Sequence, residues 1–321
     1  MFQHTAAIGT DIGISRLNIA VVNYGGKTLK FKTYPLERKQ TKDYLVSKLV
    51  ESIGDIRQIV ALKGINPICI GISAKGFVDH TAGIIFGPDL GIKGWTNVPL
   101  ARLISKETGL PVYVGNDANM MTIAEHRFGV ARNFNNIVFV GLRSTGIGGG
   151  IIINGRLYRG VNNAGGEIGQ MIINFADGIS DKGIKGSFEH FASASSLVRR
   201  YYKEKNVTIR KNQKTLTGKE IFELSYENDP AAVKVVRENA EIVGIGLANL
   251  ITIFAPEIIV LGGGMAEARD SYIQMIRKSA LANSLENCRS EVKIERALLG
   301  PNASLLGSAC YSMIRLAGKT I

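Results

Sequence analysis

The same local pattern occurs twice in this chain: a glycine-containing turn set between apolar, β-branched stretches. The first turn is Gly9-Thr10-Asp11-Ile12-Gly13 and the second is Ser144-Thr145-Gly146-Ile147-Gly148-Gly149-Gly150. Around the first, TAAIGTDIG ends at the turn and LNIAVVNY follows. Gly25-Gly26 then reverses the chain, and TLKFKTYPL alternates polar and apolar residues up to Pro35. Such runs read as strands, and two strands joined by a Gly-Gly turn form a hairpin. After the second turn, IGGGIIING and RLYRG form another hairpin. Two similar halves imply two domains with a cleft between them, where ligands commonly bind. The length of 321 residues agrees, at roughly 150 residues per domain.

Between these landmarks the chain alternates strands and helices. Leu45, Leu49, Ile53, Ile56 and Val60 recur every three or four residues, which predicts a helix over 41–63. PICIGISAKG reads as a buried strand. Helix (98–109), strand (111–115), helix (117–128) and strand (136–142) follow. The later half predicts helices near 189–205, 217–226 and 229–254, and the strand IIVLGGG. A helix near 268–283, a strand near 292–298 and a terminal helix from about 302 complete the chain. Hairpins followed by alternation imply mixed sheets covered by helices.

Composition narrows the class. Hydrophobic residues make up 45% and charged residues 21%, which excludes a disordered chain. Glycine is abundant at 37 while proline is scarce at 8, as tight loops require. Three cysteines, Cys69, Cys288 and Cys310, lie far apart and in no paired motif, so a disulfide scaffold is not expected. The start MFQHTAAIGTDIG has no signal-peptide pattern, and no apolar run approaches the ~18 residues of a membrane span. The expectation is a cytoplasmic protein with no membrane partner. Lys and Arg number 39 against 27 Asp and Glu, a net charge of +12. That raises nucleic acid as a partner, but no nucleic-acid motif is present. The densest basic stretch is 199–219.

Five constellations carry chemistry, each with a plainer structural alternative. The Gly9–Gly13 turn either presents N–H groups to phosphate with Asp11 near Mg²⁺, or is an ordinary hairpin turn. The Ser144–Gly150 run offers N–H groups and hydroxyls to phosphate, or is a glycine-rich β-turn. Leu261-Gly262-Gly263-Gly264 either admits a flat nucleotide group or serves strand–helix packing. Asn116-Asp117 opens a helix, so Asp117 either faces a cleft at the carboxyl end of a strand or belongs to a helix cap. Glu167 and Glu189 lie in or beside glycine-rich stretches, where carboxylates suit sugar hydroxyls. The histidines, His4, His80, His126 and His190, form no metal spacing and receive no site role.

Taken together, these segments resemble the ROK family of repressors, open reading frames and sugar kinases. GTDIG resembles its first phosphate loop. GISAKGFVD resembles G-I-x-x-P-G-x-V-D. GWTNVPL and GLPVYVGNDAN resemble G-W-x-N-V-P-L and G-L-P-V-x-x-x-N-D-A-N. STGIGGGIIINGRLYRG resembles the second phosphate loop and its hairpin, GGEIG the E-x-G-H motif, and NLITIFAPEIIVLGGG the family's N-L-x-x-x-x-x-P-E-x-I-V-x-G-G-G. The resemblance implies an α/β, two-domain actin-like (ribonuclease H-like) ATPase fold, with mixed sheets and helices on both faces. It implies an N-terminal domain over 1–116, completed by the terminal helix at about 302–321, and a larger domain over 117–301.

By position, the resemblance makes Asp117 the general base. Gly76, Asp89, Asn116, Asp117, Glu167, Gln170 and Glu189 become sugar contacts. Asp11, Gly13, Ser15, Thr145, Gly146, Gly263 and Gly264 become nucleotide or phosphate contacts, with Asp11 on the Mg²⁺ side. The implied cofactors are ATP and Mg²⁺, the implied partners a sugar and a nucleotide, and the implied assembly a homodimer or homotetramer.

Three departures qualify this. The family's zinc ligands, one His and three Cys, are replaced here by Gln170, Ser180, Lys182 and Ser187, none a usual zinc ligand. No structural zinc is expected. Ile14 follows Gly13 where kinase members carry a small residue, and GTDIGISRL resembles the repressor branch more than the kinases. A β-branched side chain there is expected to crowd the phosphates. Asp89 stands where many members have Asn.

The leading expectation is ATP-dependent phosphorylation of a hexose or N-acetylhexosamine. The alternative is a non-catalytic sugar-sensing protein of the repressor branch. Only eight residues precede Gly9, so direct DNA binding is not expected. A third possibility is a phosphotransferase using polyphosphate, suggested only by the basic 199–219 stretch. Metal analysis of the purified protein is expected to find no stoichiometric zinc; one zinc per chain would contradict the reading of the four replaced ligands.

Overall fold

A computed structural model of the chain describes residues 5–37, 40–87, 92–174, 184, 186–210 and 214–319. In chain order the first strands and helices are β1 (Ala6–Ile12), β2 (Arg16–Asn23), β3 (Thr28–Pro35), α1 (Lys42–Ala61), β4 (Ile70–Ala74), β5 (Phe77–Asp79), β6 (Ile84–Phe86), α2 (Leu100–Thr108), β7 (Val112–Asn116) and α3 (Asp117–Phe128). There follow β8 (Ile137–Leu142), β9 (Ile147–Ile153), β10 (Arg156–Tyr158), α4 (Phe188–Ala192), α5 (Ala194–Glu204), α6 (Gly218–Tyr226), α7 (Pro230–Phe254) and β11 (Ile258–Gly262). The chain ends with α8 (Asp270–Ala282), α9 (Glu286–Arg289), β12 (Lys293–Arg296) and α10 (Ala303–Leu316).

The chain divides into two compact units. One comprises Met1–Asn133, Ile151–Gly165 and Pro301–Ile321, and the other Phe134–Gly150 and Gly166–Gly300. The two five-stranded sheets have orders β3-β2-β1-β4-β7 and β10-β9-β8-β11-β12. Each therefore lays a hairpin beside a first strand and then adds two more strands. β1, β4 and β7 are parallel, as are β8, β11 and β12. The repeated sequence pattern is thus a repeated sheet topology.

In the first unit the apolar periodicity of α1 does what it predicts. Leu45, Leu49, Ile53, Ile56 and Val60 are all buried, against a sheet face that includes Ile8, Ile19 and Ile72. Thr41 caps the helix by accepting from Tyr44 N at 3.2 Å. The opposite face of the sheet receives α10. Gly9 and Gly71 are register partners in β1 and β4. A Cβ on Gly71 would stand 1.8 Å from Ser308 O, and one on Gly9 2.2 Å from Leu305 O. The helix backbone therefore lies directly on the sheet backbone. Gly307 makes the same close approach to α3, its Cβ position lying 1.8 Å from Met120 O.

In the second unit α7 carries the core, burying Val235, Val243, Leu247 and Ile251 among others. Asp229 caps it through Ala232 N at 2.9 Å and Pro230 occupies its first turn. The helix expected near 189–205 is broken at Ser193, which is extended at ψ 160°. The break has a cause: Ala194 N and Ser195 N donate to Arg143 O (3.2 Å) and Ser144 O (2.8 Å). The start of α5 is thereby bonded to the loop after β8. A small hairpin, β5–β6, follows the buried strand β4 and was not expected from sequence.

Gly71→Ala is expected to destabilise the protein by about 2 kcal/mol or more, because neither backbone can give way. Gly54 lies in α1 with nothing within 4 Å of its Cβ position, so Gly54→Ala should stabilise by about 0.5–1 kcal/mol. Urea denaturation of both variants checks the pair.

Candidate functional site

The first unit gathers polar groups where its parallel strands end. Asp11 pairs in register with Ser73, Ser73 with Gly115, and Ala74 with Asn116. These are the carboxyl ends of three adjacent strands, where α/β sheets bind ligands. Asn116 caps α3: its Oδ1 accepts from Ala118 N at 2.9 Å and Asn119 N at 3.3 Å. Its Nδ2 donates to Gly76 O at 3.0 Å, which ties the loop after β4 to the helix start. Because Asn116 is the cap, Asp117 is left at the first helical position. Its side chain is 8% exposed and Oδ1 accepts from Ala118 N at 2.8 Å.

Gly13, Ile14 and Ser15 form the β1–β2 turn, closed by Gly13 N donating to Arg16 O at 3.0 Å. Gln40 Nε2 donates to Ile14 O at 2.6 Å and Leu36 N to Ser15 O at 2.9 Å, so the turn is pinned from outside. The Ile14 side chain is 78% exposed. Asp89 lies outside the described residues.

His80 was given no role from sequence, yet it sits beside this constellation. Its ring bonds Asn163 through Nδ1 and Oδ1. Both line a cavity of about 20 Å³ together with Asn116, Asn119, Arg159 and Tyr311. Burial, aided by the Arg159 charge, holds the His80 pKa below the ordinary histidine value. His80 is therefore biased to the neutral form.

The second unit gathers the other candidates. The loop 143–146 leaves β8, and Gly263 and Gly264 leave β11; Gly141 and Gly262 are register partners at those strand ends. Gly263 has φ +83° and its Cβ position lies 2.4 Å from Leu142 O, so only glycine fits there. Gly264 is the opposite case, with nothing within 4 Å. It opens onto a cavity of about 540 Å³, bordered by Ser144 on one side and Arg269 on another. That is the size range of small-molecule pockets. Thr145 is exposed beside it.

Glu189 lies in α4 against two glycine loops. Its Oε2 is 2.8 Å from the Cβ position of Gly146 and 3.4 Å from that of Gly169. Glu167 is exposed and opens the short turn Ile168–Gln170. Ser187 caps α4, accepting from His190 N at 3.4 Å. The ends of the substituted zinc loop are joined by backbone bonds, from Phe188 N to Met171 O at 2.7 Å and from Ile173 N to Gly186 O at 2.9 Å. Ser180 and Lys182 lie outside the described residues. Sequence reasoning missed the pocket-facing side of α6, Lys219, Phe222, Glu223 and Tyr226, although their spacing marks one helix face. It also treated 199–219 as one basic patch. Arg200 approaches Glu238 at 3.9 Å and Lys205 bonds Asp229 at 2.7 Å, so part of that charge is compensated. No helix among the described residues is long and apolar enough to cross a membrane.

The mixed sheets with loops gathered at their strand ends are those of the actin-like ATPase fold. The crystal structure of the ROK hexokinase from Thermus thermophilus superposes with a TM-score of 0.85, at 28% identity over 98% of this chain and 99% of that one. Residues 7–313 match the ROK family, and the chain belongs to it. A ROK family glucokinase from Streptomyces griseus, solved with glucose and AMPPNP, gives 0.78 at 30% identity, covering 96% of this chain and 99% of that one. The xylose repressor of Bacillus spizizenii is 29% identical over 304 residues, 94% of this chain and 75% of the repressor. The relatives therefore include both sugar kinases and repressors.

Gly263→Ala is expected to cost about 1–3 kcal/mol of stability through its positive φ and the contact with Leu142 O. Gly264→Ala should be close to neutral. Thermal unfolding of the two neighbours separates a packing glycine from a pocket glycine.

Proposed function

We propose that this chain is an ATP-dependent sugar kinase acting on a hexose or N-acetylhexosamine. The observation that carries the reading is Asp117. It is a mostly buried carboxylate at the first turn of α3, at the strand ends, beside the Asn116–Gly76 bond. In that role it accepts the proton of the attacking sugar hydroxyl. Asn116 and Gly76, joined by the bond from Asn116 Nδ2 to Gly76 O, are the first unit's groups for the sugar. The 540 Å³ cavity with its open Gly264 wall suits a nucleotide, and Thr145 and Gly146 suit its phosphates.

Mg²⁺ takes oxygen ligands, keeps several waters and needs only one or two protein carboxylates. Asp11, at the end of β1 and partly exposed, fits such a role. When bound, the ion neutralises charge on the transferring phosphate. The chain's own contribution is positioning: capping, strand ends and turn bonds fix the groups before the substrates arrive.

A second reading, a sugar sensor without turnover, is supported by the repressor relative and by Ile14 after Gly13. The exposed Ile14 side chain does not fill the described turn, so it does not by itself exclude phosphate.

A coupled ADP-release assay with Mg²⁺, ATP and a panel of hexoses and N-acetylhexosamines tests the proposal. Sugar-dependent turnover is expected, and Asp117→Asn should lower kcat at least about 10²-fold while sugar binding survives. Near-normal turnover in the variant would remove Asp117 as the base.

A further inference from the structure

The pocket on the second unit has a direction, and its direction assigns a residue. Gly218 opens α6, and its Cβ position lies 2.8 Å from Ala194 Cβ. Ala194 N in turn bonds Arg143 O, and Ser195 N bonds Ser144 O. The N-terminal end of α6 is therefore the end next to the loop 143–146. From there the helix runs to Tyr226, about 12 Å away at roughly 1.5 Å per residue. At that far end the Arg269 guanidinium lies 3.9 Å from the Tyr226 ring centroid, and Arg269 N donates to Tyr226 Oη at 2.9 Å. The loop that carries Arg269 is held in turn by Arg296, whose Nε donates to Ala266 O at 2.9 Å.

Along this axis Lys219, Phe222, Glu223 and Tyr226 all line the pocket. The covalent order of a nucleotide is phosphate, ribose, base. With phosphates at the 143–146 loop, a cation comes first in Lys219, a carboxylate one turn later in Glu223, and a flat cation–aromatic pair last. Each chemistry matches the group that reaches it. A lysine suits phosphate, a carboxylate accepts from vicinal hydroxyls, and a guanidinium stacked on a tyrosine offers a planar surface to a base. Glu220 on the same helix is occupied by the capping box with Thr217. Glu223 is exposed and available.

We propose that Glu223 reads the ribose hydroxyls, so that the pocket selects a ribonucleotide over its deoxy counterparts, with the Arg269–Tyr226 pair as the base platform. This rests on the reading of the pocket as the nucleotide site.

Titration calorimetry on the full chain tests it with ATP and 2′,3′-dideoxy-ATP as Mg²⁺ complexes, for wild type, Glu223→Ala, Glu223→Gln, Glu267→Gln and Arg269→Ala. Wild type is expected to prefer ATP by about tenfold to a hundredfold, the range of a hydrogen bond to a charged group. Glu223→Ala should collapse that ratio towards one while leaving dideoxy-ATP binding unchanged, and Glu223→Gln should lose part of it. Arg269→Ala should weaken both ligands equally. If Glu223→Ala keeps the wild-type ratio, or if Glu267→Gln is the variant that collapses it, the assignment is overturned while the nucleotide reading stands. If wild type binds neither nucleotide, the nucleotide reading and this assignment fall together.

Discussion

The contact on which the first unit depends is the direct approach of α10 to the paired strands β1 and β4. Gly9 and Gly71 stand side by side and remove the side chains that would hold the helix away. The last helix of the chain thus closes onto the first strand. Gly307 brings the same helix against α3, the helix that begins with Asp117. β1, β4 and the first turn of α3 are consequently all packed against this one helix by close backbone contacts. Close packing of this kind has no adjustable side chain to absorb error. It is a rigid base for Asp117, the carboxylate of the proposed reaction.

The second unit meets the same need differently. Its strand ends carry glycine loops: α5 bonds the loop after β8 through Ala194 and Ser195, and the Glu189 side chain of α4 lies against Gly146 and Gly169. The cost is a broken helix at Ser193. In return the first N–H groups of α5 satisfy carbonyls of the loop 143–146. The polarity of the pocket then follows from the direction of α6. Structure at this site is arranged by backbone bonding, which is why the replaced zinc-loop residues leave its described ends paired.

Much of this was legible in the sequence. The helical period of α1 translates directly, because burial enforces the period of 3.6; β3 forms as a strand, but Phe31 on its apolar side is exposed and the buried residue is Tyr34, on the face that carries Lys30 and Lys32. The repeated glycine turn and hairpin marked the repeated sheet order. Other parts were not legible, for physical reasons. Gly9 reads as a loop glycine beside Asp11, but its use is the α10 contact, whose partner lies almost three hundred residues later. Asn116 and Asp117 compete for the cap from sequence alone; only the bonds to Ala118 N and Asn119 N assign it to Asn116. The break at Ser193 depends on a loop some fifty residues earlier. The Arg269–Tyr226 pair joins segments that no local pattern connects.

The central claim is that the γ-phosphate of a nucleotide is transferred to a sugar hydroxyl. Phosphorus NMR of the protein with ATP, Mg²⁺ and the sugar that most raises its melting temperature tests this directly. The account predicts a phosphomonoester resonance growing in step with ADP and absent without sugar. ATP left intact beside a sugar that measurably binds would contradict the kinase reading and leave the sugar sensor in its place.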